Sequence, residues 1–132
     1  MIYETRLTIP KSTTKSAPVE TTLSVSVGML RGIEISFPPG CCGLAHCVVL
    51  YFRHQVWPSN INSDFSGDDQ VIKFDEDYKL IDEPLEFVLQ GWNDDETFSH
   101  TITMRALVKG EEEDLKTLLA QIIGTPKVES SG

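Results

Sequence analysis

The chain reads as an all-β protein: a single β-sandwich or jelly-roll-like domain of about eight antiparallel strands, with one C-terminal amphipathic helix. Three observations predict this. Apolar and polar residues alternate with period two in segment after segment between Ile2 and Val108. Proline, glycine and Asn/Asp clusters interrupt that alternation every ~8–15 residues, the spacing of short antiparallel strands. No helical period appears before Glu111. With 132 residues, the chain has enough material to bury one core without a metal or disulfide. The expected division is a sandwich over residues 1–109, the helix over 110–124 and a flexible tail over 125–132.

The first strand places Tyr3, Thr5, Leu7 and Ile9 on one face, and Pro10 ends it. KSTTKSAP is a polar loop. From Val19 to Val27 the odd positions Val19, Thr21, Leu23, Val25 and Val27 point inward, and Gly28 marks a turn or bulge. Ile33, Ile35 and Phe37 follow on a third strand, which Pro38-Pro39-Gly40 cannot continue. Ala45–Tyr51 is apolar on both faces apart from His46, the mark of a central strand covered on each side. A reversal at Phe52-Arg53-His54 leads into the short return Gln55-Val56-Trp57.

After a polar loop over 59–70, Gln70–Phe74 is a short strand, and DEDYKLIDEP is an acidic connection anchored by Tyr78 and Leu80. Leu85, Phe87 and Leu89 alternate toward GWNDDE, which supplies a turn through Asn93, Asp94 and Asp95. Phe98, His100, Ile102, Met104, Ala106 and Val108 then face inward, so these two strands are expected to pair as a hairpin. At the end, Glu111-Glu112-Glu113-Asp114 suits a helix N-terminus, and Leu115, Leu118, Leu119, Ile122 and Ile123 form an apolar stripe. Gly124 and Pro126 stop it. That stripe either caps the chain's own core or serves as an oligomer interface on another copy.

The net charge of -9 is unevenly placed: Asp64–Glu96 holds twelve acidic residues against Lys73 and Lys79. Such a surface repels phosphate backbones, so direct nucleic-acid binding is not expected. The longest apolar run, Cys47–Phe52, is far short of the ~20 residues that a membrane helix needs, so no membrane insertion is expected. In MIYETRLTIPK no basic segment precedes an apolar run, so no secretory leader is expected, and three cysteines, an odd number, suit free thiols in a reducing cytoplasm.

Phe37–Asn60 concentrates all three cysteines with His46, His54 and Trp57. Cys41, Cys42 and Cys47 lack the C-x2-C spacing of a zinc knuckle, and Cys47 faces away from His46 on a strand. A thiol nucleophile would need His46 or His54 as base, with no helix N-terminus to activate it. Packing is the expected role, with no metal, no cofactor and no enzyme activity. Asp64, Asp68 and Asp69, or Asp75, Glu76 and Asp77, could offer oxygen to calcium, although neither group has EF-hand spacing. Trp57 and Trp92, each at a strand end, are the candidate ligand contacts if the domain binds a carbohydrate.

FPPGCCGLAHCVVL, HQVWPSN and GWNDDETFSHTITMRA together resemble segments of small all-β proteins encoded among virion structural genes of bacterial viruses (bacteriophage). The resemblance spans roughly residues 2–108 and carries no catalytic residues. The paired Cys41-Cys42 departs from it where small residues would serve. It implies a non-enzymatic structural subunit that self-assembles: a capsid, decoration or spike-base protein made in the host cytoplasm and residing in the virion. Its partners would be itself, as a homo-oligomer, and other structural proteins. The alternative is a β-sandwich ligand-binding module for a carbohydrate, with calcium as an assisting ion.

Overall fold

The computed structural model describes residues 1–81, 83 and 85–110. The expected helix beyond Gly110, with its stripe Leu115 to Ile123, and the tail lie outside the described residues. Nine strands are present among the described residues: β1 (Ile2–Ile9), β2 (Val19–Ser24), β3 (Gly28–Phe37), β4 (Ala45–Tyr51), β5 (His54–Trp57), β6 (Phe65–Ser66), β7 (Gln70–Leu80), β8 (Glu86–Asn93) and β9 (His100–Gly110). They form two antiparallel sheets, a β-sandwich. The first has the order β1-β9-β3-β7, and the second β2-β8-β4-β5 with β6 beside β4.

Period two puts the odd residues of β1 and the even residues of β9 into the space between the sheets. There Ile9, Leu30, Ile33, Ile35, Phe37 and Phe87 are fully buried. Removing such a side chain from water contributes about 1.5–3 kcal/mol each. Ala45, Cys47 and Val49 of β4 face this core, while Val48 and Leu50 form a smaller cluster with Trp92 on the outer face. The strand is covered on both sides, as its unbroken apolar run predicts.

The two sheets are joined along both borders. On one, Tyr3 Oη donates to Ser26 Oγ at 2.9 Å, and the Thr5 and Thr21 hydroxyls meet at 3.3 Å. On the other, Trp57 Nε1 donates to Glu76 Oε2 at 2.9 Å, and the Phe65 and Phe74 rings lie 6.1 Å apart.

Four expectations need correction. The acidic stretch 75–80 is not a connection but the second half of β7. Glu76, Tyr78 and Leu80 point inward between outward Asp75, Asp77 and Lys79, and a partner as long as β3 stabilises the whole strand. Because β8 and β9 belong to different sheets, they do not form a hairpin. Trp92 and Asn93 continue β8 as ladder partners of His46 and Ala45, so the turn begins only at Asp94. Val27 and Phe98 are 37% and 65% exposed rather than inward-facing. Val27 lies beyond the end of β2, and a turn built on Asp95 displaces Phe98 from β9.

Candidate functional site

Strand directions gather the connections 10–18, 38–44, 58–69 and 94–99 at one end of the sandwich. These segments hold Cys41, Cys42, Asp64, Asp68, Asp94 and Asp95, and His46 and His100 stand at the strand ends beside them. Loops of this length carry many backbone groups without a ladder partner, and each needs a hydrogen bond from elsewhere.

Segment 38–44 begins where the prolines stop β3. It turns through left-handed Gly40 (φ 97°), Cys42 (φ 50°) and Gly43 (φ 73°). One oxygen, Asp68 Oδ1, accepts from Gly40 N at 2.9 Å and Cys42 N at 3.1 Å. Leu44 N closes the turn on Cys41 O at 2.8 Å, and Gly43 N reaches Gly67 O at 3.2 Å. Cys41 is thereby buried and Cys42 exposed. Burial pushes the Cys41 thiol up, and the nearby Asp68 charge adds to the shift. Burial also pushes the Cys47 thiol well up. Both groups are therefore held in the thiol form, the poorer nucleophile and ligand.

The 94–99 turn is built on two side chains. Asn93 Nδ2 donates to Ile9 O at 3.2 Å and Phe98 O at 3.0 Å, while its Oδ1 accepts from Asp95 N at 2.9 Å. Asp95 Oδ1 accepts from Thr97 N at 2.8 Å and Phe98 N at 3.2 Å, and its Oδ2 lies 2.8 Å from His100 Nε2. The Thr97 amide above all, then His100, holds the Asp95 carboxyl below the usual carboxylate range. Segment 10–18 joins through Ser12 N to Asp95 O and Asn93 N to Thr13 O, both at 2.9 Å.

His46 ties the remaining loop to this turn. Its Nδ1 is 2.7 Å from Asp64 Oδ1, and its Nε2 is 3.0 Å from Asp94 Oδ2. The ring stacks on Trp92, with centroids 5.5 Å apart and planes inclined by 10°. Lys15 Nζ stands 5.3 Å from the Trp92 ring centroid. An imidazole carries one nitrogen on each edge, so a single ring reaches both carboxylates. The clamp couples 58–69 to 94–99 through one side chain.

This arrangement determines the chemistry of the end. Of the two possible bases for a thiol, His46 is engaged on both nitrogens and His54 sits at the opposite end, at the start of β5. The carboxylates of Asp64 and Asp94 bind opposite edges of one imidazole and so do not converge. Asp75, Glu76 and Asp77 alternate outward, inward and outward along β7, which keeps them apart as ligands. Among the described residues, no group of three or more His, Cys, Asp or Glu side chains could hold a metal ion.

Trp57 is 5% exposed and lies in the core, its ring 5.4 Å from Phe87. Trp92 is 6% exposed beside His46 and Lys15. A groove of about 130 Å³ runs beside it, lined by polar Gln55, Asn62, Ser63 and Gln90 as well as Ile61 and Val48.

A second surface went unseen in the sequence, where its residues are scattered over four strands. The outer face of the first sheet carries Arg6, Arg31, Lys73, Lys79, Arg105 and Lys109, against Glu4, Glu34, Asp75 and Asp77. It is therefore cationic on a chain whose net charge is -9. In its middle a register shift between Leu30 and Gly32 opens a notch of about 260 Å³. The cross-strand pair Ile2 and Leu107 lines it, 69% and 46% exposed. Strand parity on β1, β3, β7 and β9 would have revealed this face had their order been known.

No family model matches the chain, and no curated protein or solved structure matches it either.

Proposed function

We propose that the protein is a non-enzymatic structural subunit that self-assembles, with a capsid, decoration or spike-base role in a virion. The observation that carries this reading is the strand order. With β6 set aside, β1-β9-β3-β7 facing β2-β8-β4-β5 is the eight-strand order of a jelly roll, an architecture common in capsid and lectin domains. Fold alone does not choose between those two uses. The four-loop end supports the first. Its histidines and the carboxylates of Asp64, Asp68, Asp94 and Asp95 are engaged with the protein itself. That produces a rigid end suited to packing against neighbours. The aromatic faces of Trp57 and Trp92 are covered rather than offered to a sugar. On this reading the subunit is made in a host cytoplasm and acts in the particle beside copies of itself and other structural proteins.

The second reading, a carbohydrate-binding module, draws on the polar groove beside Trp92. Light scattering coupled to size exclusion separates the two. The assembly reading expects a mass that is a multiple of 14.7 kDa. A protein that stays monomeric at high concentration and shifts its melting temperature with a glycan would overturn it.

A further inference from the structure

We propose that β7 pairs edge to edge with β7 of a second copy of this chain, antiparallel about Phe74, so that two four-stranded sheets become one. β7 is the outermost strand of the first sheet and, with 11 residues, the longest edge strand among the described residues. On that border the second sheet offers only β5 and β6, of 4 and 2 residues. They reach β7 through its inward side chains, Trp57 to Glu76 and Phe65 to Phe74. The alternate backbone N–H and C=O groups that point away from β3 form a template for a further strand.

The order of charges along β7 identifies the occupant. Its outward positions are Val71, Lys73, Asp75, Asp77 and Lys79. Opposite Arg31 the strand carries both Glu76 and Asp77 without losing that alternation. Lysines on an edge deter most incoming strands, but acids at alternate positions let this sequence neutralise a copy of itself. A two-fold pair sets residue i opposite residue j with i + j constant, and outward side chains meet outward ones only when that sum is even. Centred on Phe74, Lys73 of each copy lies opposite the partner's Asp75, and no like charges stand opposite each other. The other registers that pair more than half of β7 all oppose like charges. Centred on Lys73, Asp75 or Asp77, that residue faces itself; centred on Glu76, Lys73 meets Lys79 and Asp75 meets Asp77. Opposite charges across an antiparallel pair stabilise it and like charges weaken it, which selects the Phe74 register. Lys73 can serve there, since its side chain is 71% exposed and 3.9 Å from Glu34. Such a contact closes at two copies and removes the edge it uses. The inference rests on the self-assembly reading and names one contact of that assembly.

Light scattering on the full chain through a dilution series, with hydrogen–deuterium exchange in parallel, tests it. The expected result is a two-copy step in mass as concentration rises. Over the same range the β7 amides that face away from β3 should slow. Lys73→Asp and Asp75→Lys each make both cross-strand pairs repulsive, and each should raise the dissociation constant of that step by ~10-fold or more. Mixing the two variants in equal amounts sets unlike charges opposite each other again and should restore the pair. Equal protection of the β7 amides at every dilution would overturn the proposal, by showing that the edge is covered within one chain. So would single variants that assemble like the unmodified chain; their mass, still a multiple of 14.7 kDa, would leave the self-assembly reading standing. A mixture that fails to pair would overturn the proposed register as well. A chain that is monomeric at every concentration overturns both the contact and the reading it rests on. Should either variant unfold, the concentration dependence of β7 exchange in the unmodified chain still decides the matter.

Discussion

The two ends of the sandwich are closed by different physical means. At one end, the connections 10–18, 38–44, 58–69 and 94–99 are long, and side chains hold them together. Asn93, Asp95 and Asp68 satisfy the backbone groups that the loops leave open, and His46 joins two loops through two carboxylates. At the other end, the connections 25–27 and 52–53 are short, and backbone proximity closes them. Phe52 and Arg53, at φ 53° and 63°, make a two-residue hairpin turn whose twist matches its strands. Gly28 packs so closely that a Cβ there would lie 2.3 Å from Lys109 O. Met1 N and Met1 O both bond to Val108. Long loops need polar side chains as internal partners, whereas short ones need residues that tolerate tight backbone geometry.

The largest effect should come from what both ends share. Val49→Asp buries an unpaired carboxylate in the central strand of the second sheet. A loss of more than ~4 kcal/mol is expected, enough to abolish the cooperative unfolding transition followed by circular dichroism. A folded variant would mean that β4 is not the centre of the core.

Next is the contrast itself. Asn93→Ala removes the group that satisfies Ile9 O, Phe98 O and Asp95 N. It should cost ~2–3 kcal/mol in urea unfolding. Amide exchange should rise across 10–13 and 94–99 but not around Gly28. A uniform rise throughout the chain would erase the distinction between the ends.

Acid should act through the four-loop end. Asp95 is held below the usual carboxylate range, chiefly by the Thr97 amide and then by His100. A carboxyl depressed in the folded state contributes stability that is fully present above the unfolded value of about 4. That stability declines as pH falls from there toward the folded value. Urea midpoints measured between about pH 5 and 2.5 should therefore fall more steeply for the unmodified chain than for Asp95→Asn. Parallel slopes would show that Asp95 does not carry the acid dependence.

The smallest effect belongs to the short end. Phe52 is a bulky residue at positive φ, and Asn accepts that conformation more readily. Phe52→Asn should raise the melting temperature slightly, by the equivalent of ~0.5–1 kcal/mol, offset in part by the lost edge contact with Tyr51. A clear loss of stability would show that the Tyr51 contact outweighs the backbone relief.

Much of the fold was legible because period two is a local property. Leu7 and Ile9, Leu23 and Val25, Ile33 and Ile35, and Ile102 and Met104 all face the core as their alternation requires. The double-sided burial of Val48 and Val49 follows from an unbroken apolar run. Alternation was obscured where charge filled the outward positions of β7, and Asp75, Asp77 and Lys79 made a strand look like a loop. The candidate site was partly legible. His100 is a buried, partnered histidine, as its place among inward residues implied, and Cys47 does point away from His46. The His46 clamp was not legible, because Asp64 and Asp94 are 18 and 48 positions away and meet it only through loop packing.

The sequence by itself determined the class of the fold, the facing of most strand residues and the places where strands stop. These follow from side-chain parity, proline's missing donor and glycine's freedom, all set within a few residues. Only the tertiary structure decided which strands are neighbours, and hence that Asn93–Asp95 opens a crossing between sheets instead of a hairpin. It also decided that the acidic loop residues bind the protein's own amides and histidines, and that six cations share one face. Those outcomes depend on contacts between residues far apart in the chain, whose energies exist only once the sheets have formed.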